Sequence, residues 1–346
     1  MTRGEVELGP AHLQATTNYR HLLCLSGGGY RGLYTALVLE ALEEKAKKPL
    51  ADIFDVVAGT SIGAVIAAGL ALRVPAETLR QAVENHGPRV FDRRIRCGRL
   101  RFPIQNRLRP LYRARYSQDP LREAIDKILG ANADRPFSKV CAPLLVSTVE
   151  VRSGAPRLLR SAGLAGGQAS DLCLRDGLLA SAAAPTYFPP HRVGGRAFVD
   201  GGLVANAPDL AAVAEAVRHL PCGLHEVRVL SIGTAGLPHA TRLTDRSPGL
   251  VKWLVRHGLV QLTLSAQERL AVEHSSVLLG DRYLRIDHAP TPSDHALLGL
   301  DKVTRASTEA LYRAAEDTIA NSFKSNLPEL RRFLTHCSRP RTGLVG

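Results

Sequence analysis

Three short motifs in this chain bring together residue types suited to nucleophilic attack on a carbonyl. Gly59-Thr60-Ser61-Ile62-Gly63 sets a serine with glycine two positions before it and two after. This is the spacing of a nucleophile elbow, where a sharp strand-to-helix turn pushes the serine hydroxyl out over a sheet edge. The glycines are needed because backbone crowds the apex and a Cβ would clash there. At a helix start, Ser61 also sits near the positive end of the helix dipole, which favours developing negative charge. The same five residues would serve equally as a plain N-cap turn, so the other motifs must decide.

Ser26-Gly27-Gly28-Gly29-Tyr30-Arg31-Gly32 is the second motif. Its backbone N–H groups, freed of side chains, are able to converge on an anion at a helix N-terminus. Three uses compete. The glycine spacing formally matches a dinucleotide fingerprint, but no acid closes a clean second strand where that reading needs one. A phosphate loop would need Gly-Lys-Ser/Thr, which is absent. The favoured use is an oxyanion hole serving Ser61. Asp200-Gly201-Gly202 is the third motif. Two bases are open to the serine: a histidine late in the chain (His274, His288 or His295), none of which sits in a recognisable turn, or Asp200 taking the proton directly. Two glycines after the acid allow it close approach to another loop, although an ordinary tight turn has the same look.

The elements around these motifs alternate. His21–Leu25 reads as a strand, followed by the glycine-rich turn and a helix from Leu33; Phe54–Ala58 is a strand end leading to Ser61 and a buried helix to Leu72. Further helices are expected over 76–86, 116–129, 171–184, 209–220, a long segment within 249–279 (bearing Trp253) and much of 301–333. Strands are expected over 143–151, 157–160, 196–199, 227–232 and 283–286, with a flexible loop at 163–167. This alternation predicts the α/β class: a three-layer α/β/α fold around a mainly parallel sheet, with both glycine-bearing turns at one sheet edge. A single domain over 20–335 is expected, with a polar lead-in at 1–19 and a disordered tail at 336–346.

Composition adds partners and compartment. The 346 residues are 45% hydrophobic and carry a net charge of +13. Such a surface suits phospholipid head groups, nucleotides or nucleic acid, although an arginine-favouring genome would give much of it. Residues 89–115 hold ten arginines against the single acid Asp92, which reads as an irregular basic insertion able to bind phosphates or as a solvated loop. Six cysteines lack any C-x-x-C pair, so reduced core thiols are expected and no zinc site or disulfide framework. The N-terminus has no apolar signal region, and no run reaches the roughly 18 apolar residues of a membrane span.

With Gly-Gly-Gly-x-Arg-Gly at 27–32, Gly-x-Ser-x-Gly at 59–63 and Asp-Gly-Gly at 200–202 in this order, the chain resembles the patatin-like phospholipases. The resemblance implies acyl-ester hydrolysis by a Ser-Asp dyad without metal or cofactor. Ser61 would be the nucleophile, Asp200 the general base, and Gly27, Gly28 and Gly29 the oxyanion donors, with Arg31 and Gly32 in the same loop and Arg31 bracing it. The common family form has Asp before the glycines, where this chain has Ser26; the departure touches loop support. The wording of LSGGGYRGLYTALVLEALE, FDVVAGTSIG and SIGT is similar to the bacterial anti-phage phospholipases switched on by cyclic dinucleotides. That narrower resemblance implies an activator such as 3',3'-cGAMP, a membrane phospholipid substrate, and a cytoplasmic protein that works at the inner membrane surface. It implies no nucleic-acid partner, leaves a homo-oligomer open and does not say which residues hold the nucleotide; the basic insertion is one candidate. A constitutive lipid hydrolase, an acyltransferase and a non-catalytic nucleotide-binding module remain the alternatives.

Overall fold

The computed structural model describes residues 19–92, 95–97, 100–102, 114–236, 258–291, 294, 297–325 and 327–338. In chain order it begins with β1 (Arg20–Leu25), α1 (Gly32–Ala46), β2 (Val56–Gly59), α2 (Ile62–Ala71), α3 (Ala76–Val90) and the short pair β3 (Ile95–Cys97) and β4 (Leu100–Phe102). The middle comprises α4 (Asp119–Leu129), β5 (Leu144–Glu150), β6 (Pro156–Arg160), α5 (Ala162–Ala165), α6 (Leu174–Ser181), β7 (His191–Val193) and β8 (Arg196–Asp200). It ends with α7 (Gly202–Ala205), α8 (Asp209–His219), β9 (Val227–Ile232), α9 (Leu259–Leu279), β10 (Tyr283–Ile286), α10 (Arg305–Ser325) and α11 (Leu327–Leu334).

The main sheet runs β10-β9-β1-β2-β5-β8-β7, with β6 also on β5. Strands β10, β9, β1, β2 and β5 are parallel. β1 is buried along its length, as an unbroken apolar run in a two-sided parallel sheet must be. Its side chains alternate between two cores. Leu23 and Leu25 join one packed by α1, α2, α3 and α4, whereas Leu22 and Cys24 join another covered by α8. This is the three-layer α/β/α arrangement.

The sheet is mixed rather than uniformly parallel. β6, β7 and β8 run antiparallel to their neighbours, because the β7–β8 hairpin turns back at Gly194-Gly195, both of which have positive φ. β5 is the pivot. β6 covers one of its edges over 145–149, so β2, paired at 144–146, and β8, paired at 148–150, must share the other edge. The C-terminal ends of β2 and β8 therefore meet head to head midway along β5, and each of those ends carries one of the candidate catalytic motifs.

Several expectations need correction. α3 continues past His86 to Val90, carrying Pro88 within it. The loop expected at 163–167 is α5 followed by a 3-10 turn, and α6 is shorter than the 171–184 run. Of the cysteines described, only Cys24 is buried, while Cys141 and Cys337 are exposed. The start of the tail is fixed: His336 Nε2 lies 3.0 Å from Asp55 Oδ2, and the Ser338 N–H donates to the Asp52 carbonyl at 2.8 Å. Trp253, most of the basic insertion, residues 1–18 and the tail beyond 338 lie outside the described residues. Among the described residues no helix is long and apolar enough to cross a membrane.

Candidate active site

Leu25, Gly59 and Ile232 are in register across β1, β2 and β9, so the loops that follow these strands emerge side by side. From β2 the chain turns through Ser61, whose φ of 55° and ψ of −123° are strained for a residue with a side chain. The turn is held in that shape. The Ser61 N–H donates to Ser181 Oγ at 2.9 Å, and Thr60 Oγ1 donates to the Ala205 carbonyl. Gly59 and Gly63 are required by packing, since a Cβ on either would stand 2.3–2.4 Å from backbone oxygen.

Asp200, the last residue of β8, is buried at 4% exposure. Its Oδ1 accepts the Gly202 N–H at 2.7 Å, and its own N–H donates to the Ala183 carbonyl. Burial raises its pKa to about 6, against the pull of the Gly202 N–H and the Ser61 hydroxyl, both of which favour the carboxylate. Gly201 allows the approach: a methyl group there would lie 2.2 Å from the Ser147 carbonyl oxygen. Ser61 and Asp200 thus line one cavity of about 840 Å³, inside the range of small-molecule sites.

The glycine loop borders the same cavity, and a Cβ on Gly27 would come within 3.3 Å of Ser61 Cβ. Its expected donors divide into two groups. The Gly27 N–H is spent on the Asn206 carbonyl, and the Gly32 N–H on the carbonyls of Gly29 and Tyr30, so neither is left for an oxyanion. Gly32 is instead a packing position, where a Cβ would strike Ile62. The N–H groups of Gly28 and Gly29 have no acceptor among the described residues. Gly29, at φ +59° with the Leu300 carbonyl against it, accepts no side chain.

The buried Arg31 Nε has no hydrogen-bond partner among the described residues, and the guanidinium lies in the cavity wall near Gly236. Burial lowers its pKa, against Glu268 and Asp287. The bracing comes from residues no motif announced. Arg285 donates to Ser26 Oγ at 2.9 Å and is paired with Glu268 and Asp287 at 2.7 Å each; this is what the chain has in place of an acid at position 26. Asn206 Nδ2 donates to the Gly27 carbonyl and to Glu268 Oε2, tying the loop to α9. Ser181, Asn206 and Ser147 carry no local signature; for Asn206 the only hint is its place just after the Asp-Gly-Gly turn. His274 and His288 are not among the residues lining the cavity, and His295 lies outside the described residues.

The cavity has two characters. Toward α2, α3 and α4 it is lined by Ile62, Val65, Val83, Leu121, Ile125 and Ile128; toward α9 it meets Arg31, Glu268, Arg285 and Asp287. A Cβ at Gly69 would lie 3.3 Å from Ile128, which places Ile128 two turns along α2 from Ser61, about 12 Å at the helical rise. Such a limb suits an extended apolar chain, with its polar end at the glycine loop.

Comparison with known proteins gives the family. The family model described as patatin-like phospholipase matches residues 23–213, a span that includes all three motifs and ends beyond β8. The chain is 36% identical over 321 residues to a cGAMP-activated phospholipase of Pseudomonas aeruginosa, covering 88% of this chain and 92% of that protein. A cGAMP-activated phospholipase of Escherichia coli is 28% identical over 92% of this chain and 94% of its own length. A cUMP-AMP-activated phospholipase of Escherichia coli is 28% identical over 76% of this chain and 79% of that protein. A family match over more than half the chain and a relative this similar along nearly all of it lead to one conclusion: the chain belongs to the patatin-like phospholipase family, a family of carboxylic ester hydrolases.

Proposed function

We propose that this protein hydrolyses an acyl ester of membrane glycerophospholipids through a Ser61–Asp200 dyad, and that a cyclic dinucleotide switches it on. The observation that carries the catalytic part is a buried carboxylate lining the same cavity as a serine held in a strained turn, where burial raises the Asp200 pKa to about 6. Such a carboxylate is charged at neutral pH yet basic enough to accept a proton, as general-base catalysis needs. Asp200 takes the Ser61 proton as Oγ attacks the ester carbonyl. The oxyanion that forms is met by the N–H groups of Gly28 and Gly29, and the proton passes to the departing alcohol. Water, deprotonated by the same carboxylate, then attacks the acyl-serine, and the fatty acid leaves with Ser61 regenerated. The acyl chain occupies the apolar limb along α2.

Activation by a cyclic dinucleotide rests on the relatives, two named for cGAMP and one for cUMP-AMP; which nucleotide serves here is for a panel to decide. The test is fatty-acid release from phospholipid vesicles against such a panel, with labelling by a fluorophosphonate probe in parallel. Ser61→Ala is expected to abolish both signals and Asp200→Asn to abolish release. Labelling that persists in Ser61→Ala, or release that persists in either variant, refutes the dyad; release that is indifferent to every nucleotide refutes the switch.

A further inference from the structure

α9 has two working sides. One, through Gln261, Leu264 and Glu268, lines the catalytic cavity; a Cβ on Gly202, beside Asp200, would meet Leu264 at 2.7 Å. The other carries Leu259, Thr263, Ala266, Leu270 and Val277, which recur at helical spacing and are all exposed. Leu270 is 54% exposed, Val277 79% and the neighbouring Leu278 51%. Four of the seven large apolar side chains exposed among the described residues lie on this one helix, so the stripe is a feature of α9 and not of the surface at large. Val277 also lines the cavity, with Glu273 and Ser276 beside it. The stripe therefore runs into the opening that leads to Ser61.

We propose that this stripe is the surface by which the protein seats on a phospholipid bilayer, with the cavity mouth turned toward the lipid; the inference rests on the hydrolase reading above. Continuity selects the occupant. A protein or a second copy seated on Leu270 and Val277 would cap the mouth, whereas a bilayer lying there would feed it. The net charge of +13 favours anionic head groups, and the stripe itself is flanked by the exposed, opposite charges of Arg269 and Glu273. A helix lying along the interface, with leucine and valine dipping below the head groups, is a known mode of peripheral attachment.

Leu259→Glu combined with Leu270→Glu in the full chain tests this, because neither residue lines the cavity. Two measurements are made with and without a panel of cyclic dinucleotides. One is co-sedimentation with phosphatidylglycerol–phosphatidylethanolamine vesicles and hydrolysis of their lipid. The other is hydrolysis of a soluble short-chain nitrophenyl ester. The wild-type protein is expected to pellet with vesicles, and the double variant to lose about tenfold or more in vesicle binding and vesicle hydrolysis while keeping its soluble-ester rate. Leu270→Ser alone, a milder change, should move in the same direction. Wild-type protein that stays in the supernatant, or a variant that binds vesicles equally well, overturns the proposal. So does a variant that alters only the oligomeric state by light scattering, which would make the stripe a self-contact. Co-sedimentation needs no turnover: stripe-dependent pelleting without ester hydrolysis in either protein would sink the catalytic reading and leave the docking surface standing.

Discussion

At the scale of single residues, Asp200 holds the most information, because its environment bears on both the proposed activity and stability. On the proposed dyad activity requires the carboxylate, so kcat/KM should climb with pH through about 6 and level off above it. Stability runs the other way. A folded-state pKa raised above the unfolded value of 3.8 means that the native protein keeps a proton the unfolded chain has lost. Stability from this group is therefore fullest below pH 3.8 and falls until about pH 6. Asp200→Asn removes that loss and should stabilise the protein near neutrality by up to about 3 kcal/mol, as a rise in thermal midpoint, while activity vanishes. A variant that is inactive and also less stable at pH 7 would contradict this account. Ser61 is strained in the same sense: Ser61→Gly relieves a positive φ and should raise stability by about 1 kcal/mol with complete loss of turnover.

At the scale of elements, the geometry of the candidate site is a matter of strand ends. The Gly201 methyl clash with Ser147, on the strand that receives both β2 and β8, predicts that Gly201→Ala pushes β8 off β5. We expect a loss of about 1–3 kcal/mol in denaturant unfolding and a still larger loss of kcat, since Asp200 moves with its strand. Ser181→Ala leaves the Ser61 N–H without its acceptor. Its expected effect is a fall in kcat with a modest change in melting temperature. Much of this level was legible in the sequence. Val227–Ile232 and Tyr283–Ile286 are strands to the residue, because short apolar runs bounded by turn residues have little else to become. The nucleophile turn and the glycine loop were readable because glycine spacing is a local steric requirement. The antiparallel arrival of β8 was harder to see: its run is short and partly exposed, and only the Gly194-Gly195 pair marks the hairpin. The place of Arg31 in the cavity wall was not legible, because a motif position reveals a residue type and not where a flexible side chain lands. Asn206 and Ser181 act through the fold alone, across more than a hundred residues each.

At the scale of the whole molecule, a second cluster lies at the opposite end of the strands, where the C-terminal segment packs on the start of β1. His21 is buried and stacked 3.9 Å from His336, with the Phe333 ring edge-on to it at 5.1 Å. Burial, with His336 and Arg228 close by, pushes its pKa down to about 3 despite the opposing Asp55 charge. A base whose folded pKa is depressed costs stability wherever the unfolded chain takes up the proton first, so stability falls as pH drops from 6.5 toward 3. Asp55, held below the usual carboxylate range by His336, the His21 N–H and Arg20 against the cost of burial, loses its contribution at the lower end; Asp200 opposes both between 3.8 and 6. His21→Phe keeps the ring in its slot and should flatten the acid side of the melting curve; an unchanged curve would place the acid sensitivity elsewhere.

The meeting of two strand ends on β5 has a consequence for how the chain comes into being. A growing polypeptide can assemble β1, β2 and β5 as it emerges, and so present the serine early. The carboxylate arrives only when β8 has threaded back along the vacant stretch of the same edge. On the proposed dyad, a chain that ends before residue 200 presents the serine without its base, so ester hydrolysis waits until β8 has been made and docked.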